Sequence, residues 1–280
     1  MLARHRQSLI LEDIRRAGSA RVSDLTQRLG VSDMTIRRDL EALARAGLIE
    51  KVHGGAVLPG APSSHEPGFE AKSVLEQPQK EAIARAAAAL VVPGTAIALS
   101  AGTTTFALAQ QLLDVPGLTI VTNSVRVASI FGTARPAGQL GTATAQVVLT
   151  GGVRTPSDAL VGPIADIAIR SLHVDQLFLG CHGIDPTAGL TTPNLAEAET
   201  NRAFVHAARR VTVVADHTKW GIVGLSSFAA LDEVDTLITD SQLHPEAREL
   251  IADQVGELVL ADGAPDGQAV AGGQAAPDGG

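Results

Sequence analysis

The 280-residue sequence predicts an α/β protein in two parts, a small helical N-terminal unit and a larger, mostly parallel, layered α/β domain. Three observations support that class. The first 47 residues carry apolar side chains at helical spacing with polar breaks between them. Short apolar runs that rarely alternate in polarity recur over residues 70–262, as in strands covered on both faces. Helical patterns separate those runs, the alternation that a parallel sheet requires. The expected boundaries are an N-terminal domain over 1–57, a Pro/Gly/Ser-containing linker over 58–69 and the α/β domain over 70–262. A Gly/Ala/Pro-rich tail over 263–280 has too little apolar surface to fold.

With 45% hydrophobic and 19% charged residues the chain can bury a substantial core. Aromatics make up only 2% and tyrosine is absent, so Leu, Val, Ile and Ala must do the packing. The net charge of −8 is unevenly spread. Residues 1–58 hold ten Lys/Arg against seven Asp/Glu, whereas the remainder holds twelve against twenty-three. A basic start on an acidic body suits a nucleic-acid-binding unit attached to a domain with another task. The lone cysteine, Cys181, excludes an intramolecular disulfide framework and suits a reducing compartment. Glu12 and Asp13 interrupt the N-terminal stretch, unlike a signal peptide. No window nears the roughly 18 consecutive apolar residues that span a bilayer. A cytoplasmic protein with no membrane partner is the expectation.

In chain order, residues 4–17 place Leu9, Ile10, Ile14 and Ala17 on one helical face. Ser23 is read as the N-cap of a second helix running through Leu25 to Leu29. Gly30 permits the sharp turn after it, because glycine takes positive φ without steric cost. Ser32 caps a third helix whose buried face is Ile36, Leu40 and Leu43. Its exposed start carries Met34, Thr35, Arg37 and Arg38, and a helix entering the major groove reads base edges with its N-terminal residues. A guanidinium fork bonds guanine in two places or holds phosphate. After Gly47, residues 48–57 resemble a hairpin, a wing from which Lys51 and His53 reach the DNA backbone or minor groove. The unit reads as a winged helix-turn-helix, with Ser32, Met34, Thr35, Arg37, Arg38, Lys51 and His53 as its DNA contacts.

In the body, strands are expected at Ala96–Leu99, Leu118–Thr122, Gln146–Leu149, Gln176–Leu179, Val211–Ala215 and Thr236–Thr239. Helices are expected at Pro78–Leu90, Thr104–Leu113, Pro163–Ser171 and Ala196–Ala208. Ligands of such folds sit at the carboxyl ends of strands, and four polar motifs fall there. Ser100-Ala101-Gly102-Thr103-Thr104-Thr105 opens a helix, whose N-terminal amides and threonine hydroxyls offer donors to an anion. It is neither a Walker motif nor a dinucleotide fingerprint. Thr122-Asn123-Ser124 follows the next strand, and Gly151-Gly152 with Arg154 the one after. Asp216 and Lys219 follow Val211–Ala215: the lysine is a point charge for an anion, and Asp216 holds sugar hydroxyls or orients the lysine. The eight histidines show no zinc-ligand spacing. Cys181 and His182 follow a strand, where a pocket role and an inert buried cysteine are both open. No catalytic residue, metal or cofactor is assigned.

The segment Val31–Leu40, with Leu43, Gly47 and Val52-His53-Gly54-Gly55-Ala56 after it, resembles the signature of the DeoR family of bacterial regulators. The run Thr35-Ile36-Arg37-Arg38-Asp39-Leu40 is its most specific part. The resemblance covers nearly residues 3–240. It implies a winged helix-turn-helix on operator DNA, most often as a repressor, and a sensor domain related to ribose-5-phosphate isomerase that binds phosphorylated sugars. Carried over by position, the phosphate loop is Gly102 to Thr105, and Thr122-Asn123-Ser124, Gly151-Gly152, Glu197 and Lys219 match further pocket positions. Where the family commonly has Asp-Ser-Gly-Thr-Thr, this chain has Ser100-Ala101-Gly102-Thr103-Thr104. Residues 134–145 also look longer than usual and are read as a mobile loop.

The combined expectation is a sequence-specific DNA-binding regulator, most often a repressor of carbohydrate metabolism genes, that works as a homo-oligomer (dimer or tetramer) under a phosphorylated sugar effector. The alternative is an isomerase-like enzyme with an accessory helical domain, since fold alone does not separate the two. Exposed Thr35, Arg37 and Arg38 favour the regulator, because an isomerase has no need of them.

Overall fold

The computed structural model describes residues 2–17, 19–46, 48–52, 55–57, 68–133 and 145–262. The linker expected over 58–69, the tail over 263–280, nearly all of the 134–145 loop, and Gly47, His53 and Gly54 lie outside the described residues, apart from 68, 69 and 145.

The N-terminal unit runs α1 (Ala3–Ala17), β1 (Ser19–Arg21), α2 (Val22–Leu29), α3 (Asp33–Arg45), β2 (Glu50–Val52) and β3 (Gly55–Val57). Ile10 and Ile14 of α1, Leu25 of α2, and Ile36, Leu40 and Leu43 of α3 bury one common core with Ile49 and Ala56. Gly30 has φ 64°, the left-handed turn between α2 and α3. β2 and β3 pair antiparallel as the expected wing. β1 adds a third strand on the far side of β3, with Ala20 opposite Ala56. It went unpredicted because a three-residue Ser-Ala-Arg strand has no apolar run of its own and exists by pairing. α2 begins at Val22, so Ser23 sits in its first turn and is not its N-cap. Buried Val22, 5% exposed, follows β1 directly and pins the helix start two residues earlier.

The body continues with α4 (Phe69–Ser73), α5 (Gln77–Ala88), β4 (Ala96–Leu99), α6 (Thr103–Gln111), β5 (Thr119–Thr122), α7 (Val125–Thr133) and β6 (Gln146–Leu149). Next come β7 (Val153–Arg154), β8 (Leu160–Val161), α8 (Pro163–Arg170), β9 (Gln176–Leu179), β10 (Gly183–Asp185), β11 (Gly189–Thr192) and α9 (Leu195–Ala207). The last described elements are β12 (Val211–Val214), β13 (Ser226–Ala229), β14 (Thr236–Asp240), α10 (Pro245–Ala252) and β15 (Glu257–Ala261). Seven strands form one sheet in the order β15-β14-β12-β9-β4-β5-β6, and every neighbouring pair is parallel.

Alternate residues of each central strand enter opposite cores. Ile97, Leu99, Phe178 and Val214 pack with Ile83 and Ala87 of α5 and Leu108 of α6. Ala98, Leu177, Leu179 and Val213 pack with Ile169 of α8, Phe204 of α9 and Ile251 of α10. Coverage on both faces is why the strands read as unbroken apolar runs. A smaller antiparallel sheet, β10-β11-β13, packs onto the second core through Ile184, Leu190 and Phe228. Because all seven strands point the same way, the ends of β4, β5, β6, β9, β12 and β14 open onto one edge.

Candidate nucleic-acid interface and effector site

α3 is built as a helix that presents its start. Ser32 caps it, accepting from the Thr35 amide at 3.4 Å, and the two hydroxyls lie 2.9 Å apart. Ile36, Asp39, Leu40 and Leu43 face inward. Met34 is 63% exposed, and Ser32, Arg37 and Arg38 are exposed beside it. Thr35 is half-buried. The expected reading face is therefore continuous at the helix start. Arg37 is steadied by Asp33 one turn earlier, at 3.1 Å, whereas Arg38 makes no ion pair among the described residues. The side chain of Lys51 and all of His53 fall outside the described residues, so the wing contacts rest on the sequence.

The sequence reasoning missed what aims α3. Asp39 is 3% exposed and accepts from Arg6 Nε and, at 2.9 Å, from Gln7 Nε2, both on α1. A carboxylate on the inner face of a helix, between Ile36 and Leu40, was the available signal, since an ionised group is buried only when paired. Arg28 of α2 pairs with Asp13 of α1 as well, so the recognition helix and its predecessor are both tied to the same scaffold helix.

At the sheet edge, the loop after β4 meets its neighbours through short polar bonds. Ser100 Oγ accepts from the Gly180 amide at 3.1 Å, and the Ala101 amide donates to Asn123 Oδ1 at 2.8 Å. Asn123 also donates to the Leu160 carbonyl at 3.1 Å. Thr122 donates to the Leu99 carbonyl at 2.7 Å, while Ser124 Oγ accepts from the Val127 amide at 3.2 Å and so opens α7. Thr122, Asn123 and Ser124 are thus buried and hydrogen-bonded within the framework. What stays available is the start of α6. Its N-cap, Gly102, has no side chain to cap it, and the first-turn amides of a helix have no intrahelical acceptor. Thr105 donates to the Gly102 carbonyl at 3.1 Å, and a Cβ on Gly102 would come within 3.2 Å of the same hydroxyl.

Gly151 and Gly152 have φ 72° and 121°. A Cβ on Gly152 would lie 2.6 Å from the Val161 carbonyl oxygen, so the close approach made by this glycine is to β8. Arg154 is joined to Asp158, which also takes Arg126. Burial works against ionisation of Asp158, yet the hydrogen bonds from Arg126 and Arg154 hold its carboxyl below the ordinary range. Glu197 sits in the first turn of α9, capped by Asn194. Its carboxylate accepts from Thr155 at 3.0 Å, from Ser157, and from Thr192 at 3.0 Å.

Asp216 is 2% exposed and accepts from the Thr218 amide at 3.1 Å. Asp216 and Lys219 lie within electrostatic reach of Lys80 and of Cys181. Lys80 was not foreseen. It stands in the first turn of α5, 5% exposed, and donates to the Lys72 carbonyl at 2.6 Å and to the Leu75 carbonyl. Burial lowers its pKa to about 8 despite the opposing field of Asp216. A cation at a helix start opposes the helix dipole, and that was the sequence signal. Cys181 retains some exposure as a residue, but desolvation raises its thiol to about 12, which makes it a poor nucleophile. His182 donates its amide to the Thr191 carbonyl at 3.1 Å. Among the described residues no group of three or more His, Cys, Asp or Glu side chains could hold a metal, and no helix is long and apolar enough to cross a membrane.

Two family models match successive parts of the chain. Residues 6–61 match the model of the DeoR-like helix-turn-helix domain, and residues 75–241 match that of the DeoR C-terminal sensor domain. The Escherichia coli K12 regulator YgbI, an uncharacterised helix-turn-helix-type transcriptional regulator, is 36% identical over 93% of this chain and 99% of its own. The glycerol-3-phosphate regulon repressor of the same organism is 30% identical over 91% of this chain and 98% of its own. Among solved structures, a ribose 5-phosphate isomerase from Methanocaldococcus jannaschii aligns at 16% identity over 50% of this chain and 53% of that one, with a TM-score of 0.36. An overlap that partial carries no argument about activity. On its two matched domains and its near full-length relatives, the chain belongs to the DeoR family of helix-turn-helix transcriptional regulators.

Proposed function

We propose that the chain is a cytoplasmic repressor of carbohydrate metabolism genes whose hold on operator DNA is set by a phosphorylated sugar bound at the carboxyl edge of the sheet. The observation that carries the effector reading is the placement, on one edge of the sheet, of an uncapped helix start after β4, Gly102 to Thr105, and of Lys219 after β12, with Lys80 within electrostatic reach of Lys219. Amide donors and ammonium charges fit a phosphate. Asp216 and Glu197 supply acceptors for sugar hydroxyls, and half-buried Thr103 stands in front of buried Ser100 and Thr104; Arg154, paired with Asp158, follows the β6 end. The name of the glycerol-3-phosphate regulon repressor supports a phosphorylated effector. We read the body as a sensor and not an enzyme, since its relatives are regulators and the Cys181 thiol is held protonated. Helix-turn-helix proteins read half-sites roughly 34 Å apart, so a homo-oligomer is the working form.

The test is fluorescence anisotropy of DNA from the gene's upstream region at fixed salt, with and without ribose 5-phosphate, fructose 1-phosphate and glycerol 3-phosphate. Specific binding that one compound shifts about 5–150-fold is the expected result; absence of specific DNA binding sinks the proposal. Lys219→Ala should leave DNA affinity within about twofold while weakening the effector about 10-fold or more, in line with the about 1.5–3 kcal/mol of a charged hydrogen bond. Calorimetry of effector binding reads this directly.

A pH dependence follows from Lys80. Its ammonium is present below about pH 8 in the free protein and lost above it. The sugar phosphate is already dianionic there, its second pKa being about 6. Effector affinity should therefore fall as pH rises from 7 to 9, and Lys80→Met should flatten the slope. The bound anion stabilises the ammonium, so in the complex the loss moves to higher pH. A flat wild-type profile would remove Lys80 from the site.

A further inference from the structure

The segment that enters the body from the linker is fastened to the candidate effector site by a chain of charges that the functional reading leaves unused. α4 is the first described element after Val57, and it lies between the two regions matched by the family models. Phe69, 7% exposed, meets Phe106 of α6 edge-on, with ring centroids 5.7 Å apart. The guanidinium carbon of Arg126 lies 4.3 Å from the centroid of the Phe69 ring. The same guanidinium pairs with Glu70 of α4 at 2.6 Å and with Asp158. Beneath α4, Lys80 binds the carbonyls of Lys72 and Leu75.

Asp158 ends the turn that also carries Thr155 and Ser157, both of which donate to Glu197. It is buried and has φ 69°, a conformation that a residue with a Cβ keeps only while its contacts enforce it. A contiguous path of hydrogen bonds and ion pairs thus runs from Glu197 through the 155–158 turn, Asp158 and Arg126 to Glu70.

We propose that Arg126 and Asp158 are positioning residues of the effector response, carrying occupancy at Glu197 to α4 and so to the DNA-binding domain. The inference rests on the effector reading above. A hydroxylated ligand that bonds Glu197 competes with Thr155 and Ser157 for its oxygens. The turn that presents Asp158 then settles differently, and Arg126 holds α4 in a different place. Contact along a path is not coupling; coupling requires that ligand and DNA favour different arrangements of the same element. α4 is that element.

The test uses the full chain and Glu70→Gln, which removes the Arg126–Glu70 ion pair and leaves the Arg126 contact with Phe69 of α4 in place. Glu70 is 78% exposed, so its ion pair adds little to stability. Binding of ribose 5-phosphate, fructose 1-phosphate and glycerol 3-phosphate is measured by calorimetry, and operator affinity by anisotropy with and without each compound. The expected result is effector Kd and free-state operator Kd both within about twofold of wild type, with the wild-type 5–150-fold effector shift reduced to less than about twofold. Arg126→Lys, which keeps the charge but loses the fork spanning two carboxylates, should uncouple in the same way. A full effector shift in Glu70→Gln overturns the proposal while leaving the effector site standing. A compound that binds wild type without shifting DNA affinity overturns it too. If no compound binds, the effector reading fails and this inference fails with it.

Discussion

Asp39→Ala should cost the N-terminal domain about 3–5 kcal/mol, much of its stability, while the body stays folded. The figure is that for removing one partner of a buried charge pair. Arg6 is 11% exposed and its guanidinium would lose Asp39, as would the Gln7 amide on the same helix. Arg6 keeps a little solvent, which places the loss towards the lower end of that range. A domain of some 55 residues has only about 3–8 kcal/mol at roughly 0.05–0.15 kcal/mol per residue, so either end removes much of it. The comparison that decides the mechanism is Asp33→Ala. Asp33 pairs with Arg37 in the open, both side chains being more than half exposed, and its loss should cost only about 0.3–0.5 kcal/mol. Thermal unfolding followed by circular dichroism should show the Asp39 variant losing an early transition, with effector binding intact by calorimetry. An unaltered unfolding profile would mean that Asp39 does not hold α3 to α1.

How much of this was legible in the sequence depended on what each feature is made of. β4, β6 and β9 were placed to the residue, and the other three expected strands to within one, because each is a short apolar run, in β4, β9 and β12 from burial on both faces. β15, Glu257–Ala261, was overlooked although it completes the sheet beside β14. It is an edge strand on which Glu257 to Leu260 all keep some exposure, and it runs directly into a tail of low complexity. α7 and α4 were hidden for another reason: α7 is capped by Ser124, a residue read as a ligand group, and α4 is five residues held by tertiary contacts. The site divided the same way. Motifs at strand ends were visible as local strings, whereas Lys80, Arg126 and Asp158 come from three separate stretches and mean something only once the fold joins them. Thr122 and Asn123, read as pocket positions in the string, are also tied into the framework through Leu99, Ala101 and Leu160.

Arg38→Ala should weaken operator binding about 5–150-fold, the range set by losing about 1–3 kcal/mol of base discrimination. Arg38 is exposed on a helix whose core contacts come from Ile36, Leu40 and Leu43, so its removal leaves the fold within about 0.5 kcal/mol of wild type. Any loss of DNA affinity is then a loss of contact. Arg37→Ala is the instructive partner, because Arg37 must first leave Asp33, at 3.1 Å, to reach DNA and so returns less on binding. Salt dependence separates the two chemistries open to Arg38. A guanine contact gives a loss confined to the cognate sequence, while a phosphate contact gives a uniform loss and lowers the salt slope by about one. Effector affinity measured on the same variant should not change, since Arg38 is exposed on α3 and is none of the candidate effector residues. Undiminished operator binding without Arg38 would take the start of α3 out of the interface and leave the wing as the reader.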